Sequence, residues 1–238
     1  MDISQTIDDI NKSFDKKGYS KIENFIDDRI FTDIRNFLKK ECQKLNKNNF
    51  SFDNSNKIDH LEKILKNDKF KKIYLGLLEK SNINKCNEEY YVIGIREGRK
   101  SKNKILYHFD AYYLTILFPI LIPKNNDNGK LHIFPRWRNI QKYELVNFIQ
   151  KILIQNPVTR KIINFNFIKK LLNMKEVDLN TKYIYFFQGY RSVHGVGRHT
   201  SDLRSTAVFH FHNPHKDKYI NNFIKNKHIK EREKIKDQ

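Results

Sequence analysis

Residues 104–123 read Lys-Ile-Leu-Tyr-His-Phe-Asp-Ala-Tyr-Tyr-Leu-Thr-Ile-Leu-Phe-Pro-Ile-Leu-Ile-Pro. Two strands are predicted here. The first, Lys104–Asp110, alternates, and strand geometry sends His108 and Asp110 to one face and Phe109 to the other. The second is Tyr112–Pro123, whose Leu114–Pro123 is the longest apolar run in the chain. It is too short to cross a bilayer, and Pro119 interrupts it.

Working outward, Tyr90–Arg96, Leu131–Phe134, Tyr183–Phe187 and Leu203–His212 also read as strands. They are rich in Ile, Tyr, Phe and Val and bounded by polar or Gly-bearing stretches. Asn125-Asn126-Asp127-Asn128-Gly129 is a turn signal between two of them. Residues 140–174 carry a helical pattern that Pro157 divides in two. Upstream, Ile3, Ile7, Ile10 and Phe14 recur at helical spacing before Gly18, and Tyr19 to Phe25 alternates briefly like a strand. Asp27 can cap a second helix whose apolar face is Ile30, Ile34, Phe37, Leu38, Cys42 and Leu45. An Asn-rich loop follows, then more helical pattern between Ile58 and Leu78. The expected class is α+β, helices around a strand sandwich or barrel, in one domain over 1–238. Within it, 1–80 forms an N-terminal helical region, 90–135 and 183–212 supply the strands, 140–174 is a helical insertion and candidate lid, and 214–238 is a charged tail.

The chain has 238 residues, 46 Lys and Arg against 27 Asp and Glu, and a formal charge of +19. With 39% hydrophobic and 13% aromatic residues it is a folding chain despite that charge. The excess is lysine: 35 Lys against 11 Arg, beside 30 Ile and 27 Asn, the bias that AT-rich codons produce. Arginine, the better residue for forked phosphate and base recognition, is scarce, so nucleic acid is not the expected partner. What remains is a positive field that favours an anionic small-molecule substrate. Two cysteines make no disulfide framework, and no basic-then-apolar leader opens the chain, so a cytoplasmic protein without a membrane partner is expected.

Chemistry concentrates in four residues. His108 and Asp110 share a face, and His194 follows 86 positions after His108. Two imidazoles and one carboxylate can occupy one face of an octahedral metal and leave three positions open, the arrangement of non-haem Fe(II) oxygenases. Ten residues beyond His194 stands Arg204, and a strand there places Thr206 on its face, so guanidinium and hydroxyl could hold a carboxylate together.

This pattern resembles the Fe(II)/2-oxoglutarate-dependent dioxygenases, in particular the phytanoyl-CoA dioxygenase-like branch. Gly18 to Ile26 with the helix after it, and Gly129-Lys130-Leu131-His132-Ile133-Phe134-Pro135, are similar to that branch's N-terminal and mid-barrel segments. The resemblance spans roughly Gly18 to Pro214. It implies a double-stranded β-helix, a jelly-roll or cupin-like barrel, with N-terminal helices packed on it. It further implies Fe(II) held by His108, Asp110 and His194, and 2-oxoglutarate anchored by Arg204 with Thr206. With O2 as co-substrate, hydroxylation of a small molecule would accompany decarboxylation to succinate. Asp110 argues against the related halogenases, which carry a small residue there. Two other readings stand beside this one: a dioxygenase acting on nucleic acid or protein, and a non-catalytic cupin-like binding module.

Other residues have plainer accounts. Tyr112 and Tyr113 could reach the co-substrate or simply pack the barrel. Trp137 could line the pocket or plug the space beneath the insertion. His210 and His212 form an H-x-H pair read as barrel-interior or strand-end histidines, and Arg191 and Arg198 as loop or substrate residues. His132 and His199 have no spacing argument.

Overall fold

Asp2 opens α1 (Ile3–Lys17): its carboxylate accepts the Ser4 and Gln5 amides, and Ile10 and Phe14 point into the core. Gly18 ends the helix at φ 80°, where a Cβ would also meet Pro135 at 2.6 Å, so the position demands glycine twice over. In this computed structural model, residues 2–23, 25, 27–45, 49–52, 59–83, 89–96, 105–122, 129–197, 204–216 and 218 are described. After α1 come β1 (Tyr19–Glu23), α2 (Asp28–Leu45), β2 (Asn49–Phe52), α3 (Asp59–Leu65), α4 (Asp68–Glu79), β3 (Glu89–Arg96) and β4 (Leu114–Leu121). β5 (Leu131–Phe134) precedes a helical excursion of α5 (Glu144–Gln155), α6 (Pro157–Ile163) and α7 (Asn166–Leu171). The chain returns through β6 (Lys175–Val177), β7 (Tyr183–Phe187), β8 (Val193–Val196) and β9 (Arg204–Phe211).

The strands form two antiparallel sheets, one ordered β1-β7-β4-β9-β3-β2 and one ordered β6-β5-β8. Alternation divides the side chains of the large sheet. Ile116, Phe118, Ile184, Phe186, Phe209 and Phe211 face the helices and pack with α1, α3 and α4. Phe70 of α4 sits at the centre, its ring 5.7 Å from Phe118 and 5.8 Å from Phe209, and burial of such a ring contributes about 1.5–3 kcal/mol. The opposite face supplies Leu117, Tyr185, Phe187 and Val208, which meet Leu131, Ile133 and Val177 of the small sheet. β9 therefore carries Arg204, Thr206, Val208 and His210 on this inner face. A third cluster joins Tyr107, Phe109, Phe134 and Val193 to Ile154 of α5 and Ile163 of α6 and fixes the insertion.

Several expectations change. Lys104–Asp110 is not a strand: its described part makes one isolated bridge, His108 with His194. His108 and His194 exchange both backbone hydrogen bonds, but the Asp110 amide donates to Gly189 and that of Tyr113 to His212. The segment crosses from the small sheet to the large one, so no single partner strand runs along it. In the N-terminal region β1 falls within the expected Tyr19–Phe25 strand, but β2 lies in the expected Asn-rich loop, pairs with β3 and forms the opposite edge of the large sheet. His194 stands within β8. The insertion holds three helices. Asn156, forced extended by the following proline, closes α5 and caps α6 through the Val158 amide. The charged tail beyond residue 218 and the turn at 125–128 lie outside the described residues.

Candidate metal centre

The crossing segment delivers two side chains to one point. His108 is held by its backbone pair with β8, which also carries His194, and Asp110 is drawn to the end of β7 by Gly189. The imidazoles lie 4.4 Å apart between ring centroids. Asp110 Oδ1 is 3.6 Å from His108 Nε2 and 3.3 Å from His194 Nε2. All three ligand atoms fall within 4.8 Å of one another, the one such grouping found among the described residues.

Hydrogen bonds behind the ligands aim them. His108 Nδ1 faces the Leu106 carbonyl at 2.9 Å and His194 Nδ1 that of Ser192 at 3.0 Å. A carbonyl can only accept, so each Nδ1 carries a hydrogen and each Nε2 is the nitrogen turned toward Asp110. The Thr115 hydroxyl donates to Asp110 Oδ2 at 2.5 Å, which leaves Oδ1 for the shared point. His210 completes the wall, its Nδ1 3.2 Å from Thr115 Oγ1 and its ring stacked on Tyr112 at 5.1 Å. Phe187 packs edge-on against His194 at 4.9 Å. Gly189 fits because it has no side chain: a Cβ there would collide with both Asp110 Oδ2 and Thr115 Oγ1.

The charges follow from this packing. Burial opposes ionisation of Asp110, but His194, His210, His108 and the bond to His194 outweigh it and hold the carboxyl well below its usual range. His108 keeps 41% of its side chain open to the mouth, yet the protein around it and neighbouring His194 push its pKa down to about 4. Burial likewise lowers His210. For His194 burial acts downward too, but Asp110 prevails and raises it. The cluster is thus an ionised carboxylate with the Nε2 atoms of two imidazoles turned toward it, and with the proton between His194 and Asp110 released the set suits a borderline divalent cation such as Fe(II).

Arg204 and Thr206 lie further along the inner face of β9, both buried. Gly129, at φ 72°, leaves room for the arginine, since a Cβ there would come within 3.1 Å of Nε. Thr206 is 6% exposed and its hydroxyl has no hydrogen-bond partner among the described residues. It stands opposite Pro119, where the β4–β9 register slips.

The remaining residues divide. Tyr112 and His210 join the centre, whereas Tyr113 packs on the helix side and accepts a hydrogen bond from Gln188 Nε2 at 2.8 Å. Trp137 lies edge-on to Phe134 at 5.5 Å and is partly exposed. His212 turns out of β9 at φ 58° and so leaves the face of Arg204. His132 meets the Tyr107 hydroxyl at 3.0 Å, and Arg191 bonds Gln188, Asn139 and the Arg138 carbonyl. Arg198 and His199 lie outside the described residues. Sequence reasoning missed Thr115 and Gly189, which carry no motif; only their contact with Asp110 reveals them.

No protein-family model matches the chain and no curated protein matches it. Solved structures do. AviO1 from Streptomyces viridochromogenes superposes with a TM-score of 0.60 at 10% identity, over 87% of this chain and 95% of its own. A prolyl 4-hydroxylase from Phytophthora capsici gives 0.57 at 11%, over 89% of this chain and 65% of its own, so this chain spans just under two thirds of that enzyme. The non-heme alpha ketoglutarate dependent epimerase SnoN of nogalamycin biosynthesis gives 0.54 at 11%, over 87% and 81%. The chain therefore shares the fold of these structures, a prolyl 4-hydroxylase and an alpha ketoglutarate dependent epimerase among them, and within it brings His108, Asp110 and His194 together.

Proposed function

We propose that this protein is a cytoplasmic Fe(II)- and 2-oxoglutarate-dependent oxygenase that hydroxylates a small molecule, its chain forming one domain and its two sheets a double-stranded β-helix barrel. One observation carries the reading: His108 and Asp110 from one segment and His194 from another bring two Nε2 atoms and Oδ1 within 4.8 Å of one another. Bound there, Fe(II) with 2-oxoglutarate would supply the O2-dependent oxidation, with decarboxylation to succinate.

The protein's own part is to bind and to aim. Three protein donors leave three sites of an octahedron open, enough for a bidentate 2-oxo acid and one further ligand. Thr115 keeps Oδ2 of Asp110 engaged, so the carboxylate presents one oxygen. Arg204 would fork the distal carboxylate of the co-substrate, and the Thr206 hydroxyl, which has no hydrogen-bond partner among the described residues, would gain one. Phe187, Tyr112 and His210 wall the centre against water. The formal charge of +19 supports an anionic substrate.

Anaerobic titration with Fe(II) and 2-oxoglutarate tests the reading. The wild type should develop a visible metal-to-ligand charge-transfer band and, in air, form succinate. Asp110→Ala and His194→Ala should lose both. Arg204→Leu should bind metal normally but need about 10–100-fold more 2-oxoglutarate, the usual worth of hydrogen bonds to a charged group. Retention of band and succinate by Asp110→Ala would remove the assignment.

A further inference from the structure

Helix α5 is built inside out. Its inward side carries Asn147 and Ile154, both buried, with Gln150 and Lys151 half-buried beside them. Leu145, Val146, Ile149, Ile152 and Leu153 all point to solvent, Leu153 with 58% exposure. At 3.6 residues per turn these five cover one arc of roughly 120° with no polar side chain inside it. The next two helices repeat the pattern with an exposed i, i+4 pair each, Val158 with Ile162 on α6 and Phe167 with Leu171 on α7. Phe167 is 73% exposed. Fifteen large apolar side chains are exposed among the described residues, and thirteen of them fall between Trp137 and Leu171. A monomer rarely leaves so much apolar side chain in water without a use for it.

Charge decides what covers this face. Residues 136–175 contain nine Lys and Arg and a single acid, Glu144; with buried Arg138, inward Lys151 and Arg136, which pairs with Asp15, set aside, six remain against one, a net of +5. A second copy would bring +5 against +5. The tail at 219–238 holds six Lys and Arg against three acids, so it is basic as well and no better matched. The partner must be anionic. It must also accept a surface without hydrogen-bonding groups in its outward arc, whereas protein interfaces carry about one hydrogen bond per 100–200 Å². A hydrocarbon boundary beneath anionic headgroups meets both conditions. Aliphatic and aromatic residues facing out, flanked by lysine and arginine, are the composition of helices that lie in the plane of such a boundary.

We propose that the 140–174 insertion is a peripheral docking surface for anionic lipid membranes, with the outward arcs of α5, α6 and α7 entering the headgroup layer. No helix of the described residues is long and apolar enough to cross a membrane, and lying on one requires no such helix. The insertion is anchored through Ile154 and Ile163 to the cluster containing Phe109, the neighbour of both His108 and Asp110. Docking would therefore hold the metal centre close to the lipid surface.

The whole protein is to be sedimented with vesicles of phosphatidylcholine, with and without phosphatidylserine, at low and high salt. Emission from its single tryptophan, Trp137, is recorded in parallel. Binding is expected only with phosphatidylserine, should weaken with salt, and should shift the emission to the blue. Ile149→Glu/Leu153→Glu and, separately, the milder Phe167→Ser/Leu171→Ser should lower partitioning at least about tenfold, since each removes buried hydrocarbon. Leu75→Ser, an exposed apolar residue on α4, should change nothing. Circular dichroism confirms that each variant folds. Absent binding to phosphatidylserine vesicles, or binding indifferent to both double variants, overturns the proposal. So does a concentration-dependent dimer dissolved by the same substitutions, or tighter capture of soluble polyglutamate that those substitutions abolish. None of these variants touches the metal cluster, so this inference and the oxygenase reading stand or fall separately.

Discussion

The metal centre and the helical insertion both reverse the usual distribution of polarity, in opposite directions. Around Asp110, ionisable groups other than the partly exposed His108 are largely withdrawn from water, and each is held by a neighbour: Thr115 on Oδ2, carbonyls behind both imidazoles, His210 and Tyr112 stacked as a wall. In the insertion the buried side keeps Asn147 and Lys151, and the apolar residues face water. Buried charge is tolerable only with fixed partners, so the first region is rigidly specified. Exposed hydrocarbon needs no fixed geometry, so the second can meet a fluid surface.

The largest test of this contrast is Gly189→Ala. The added methyl would overlap Asp110 and Thr115, and misplacing a ligand by about 1 Å costs on the order of 100-fold in turnover. Succinate formation should fall accordingly, while a methyl added on the open arc, as in Val158→Ile, leaves it unchanged. A smaller loss is expected for Thr115→Val, which keeps shape but frees Oδ2. Fe(II) affinity, read by competition with a chelator, should drop about tenfold, as for other residues that orient a ligand. If affinity were untouched, the aim of Asp110 would not depend on its hydrogen bond.

The smallest effect concerns Lys151. Burial, then Arg138, lowers its pKa to about 8, with Asp110 offsetting part of the shift. The folded pKa lies below the unfolded value of 10.5, so the unfolded chain binds more protons between those limits and folding stability rises with pH there. Relative to Lys151→Met, the wild type should gain stability from pH 8 to 10.5 in denaturant titrations. A difference between the two that stays flat across that window would place the ammonium in open water.

Much of this was legible beforehand, for identifiable reasons. Strands at Leu131–Phe134 and Tyr183–Phe187 fall where their β-branched and aromatic composition put them, and β9 lies within the expected Leu203–His212. His108, Asp110, His194 and the shared face of Arg204 and Thr206 were readable because ligand chemistry restricts residue type and spacing. The crossing segment was not, because alternation at 104–110 looks the same whether one strand or two sheets receive its hydrogen bonds. β2 and β6 are short and carry little propensity, and pairing with neighbours decides them. The membrane was set aside on the lack of a spanning segment, which tests insertion across a bilayer and leaves contact along its surface untouched.

By itself the sequence determined the donor set, the strand-rich half and the amphipathic periods of the helices, because residue chemistry and local geometry act over a few positions. Only the tertiary structure decided that Thr115 and Gly189 frame Asp110, that His210 closes the wall, and that the apolar side of α5 faces outward. Periodicity defines that a helix has two faces; which one meets the core depends on what residues distant in the chain have already packed beneath it.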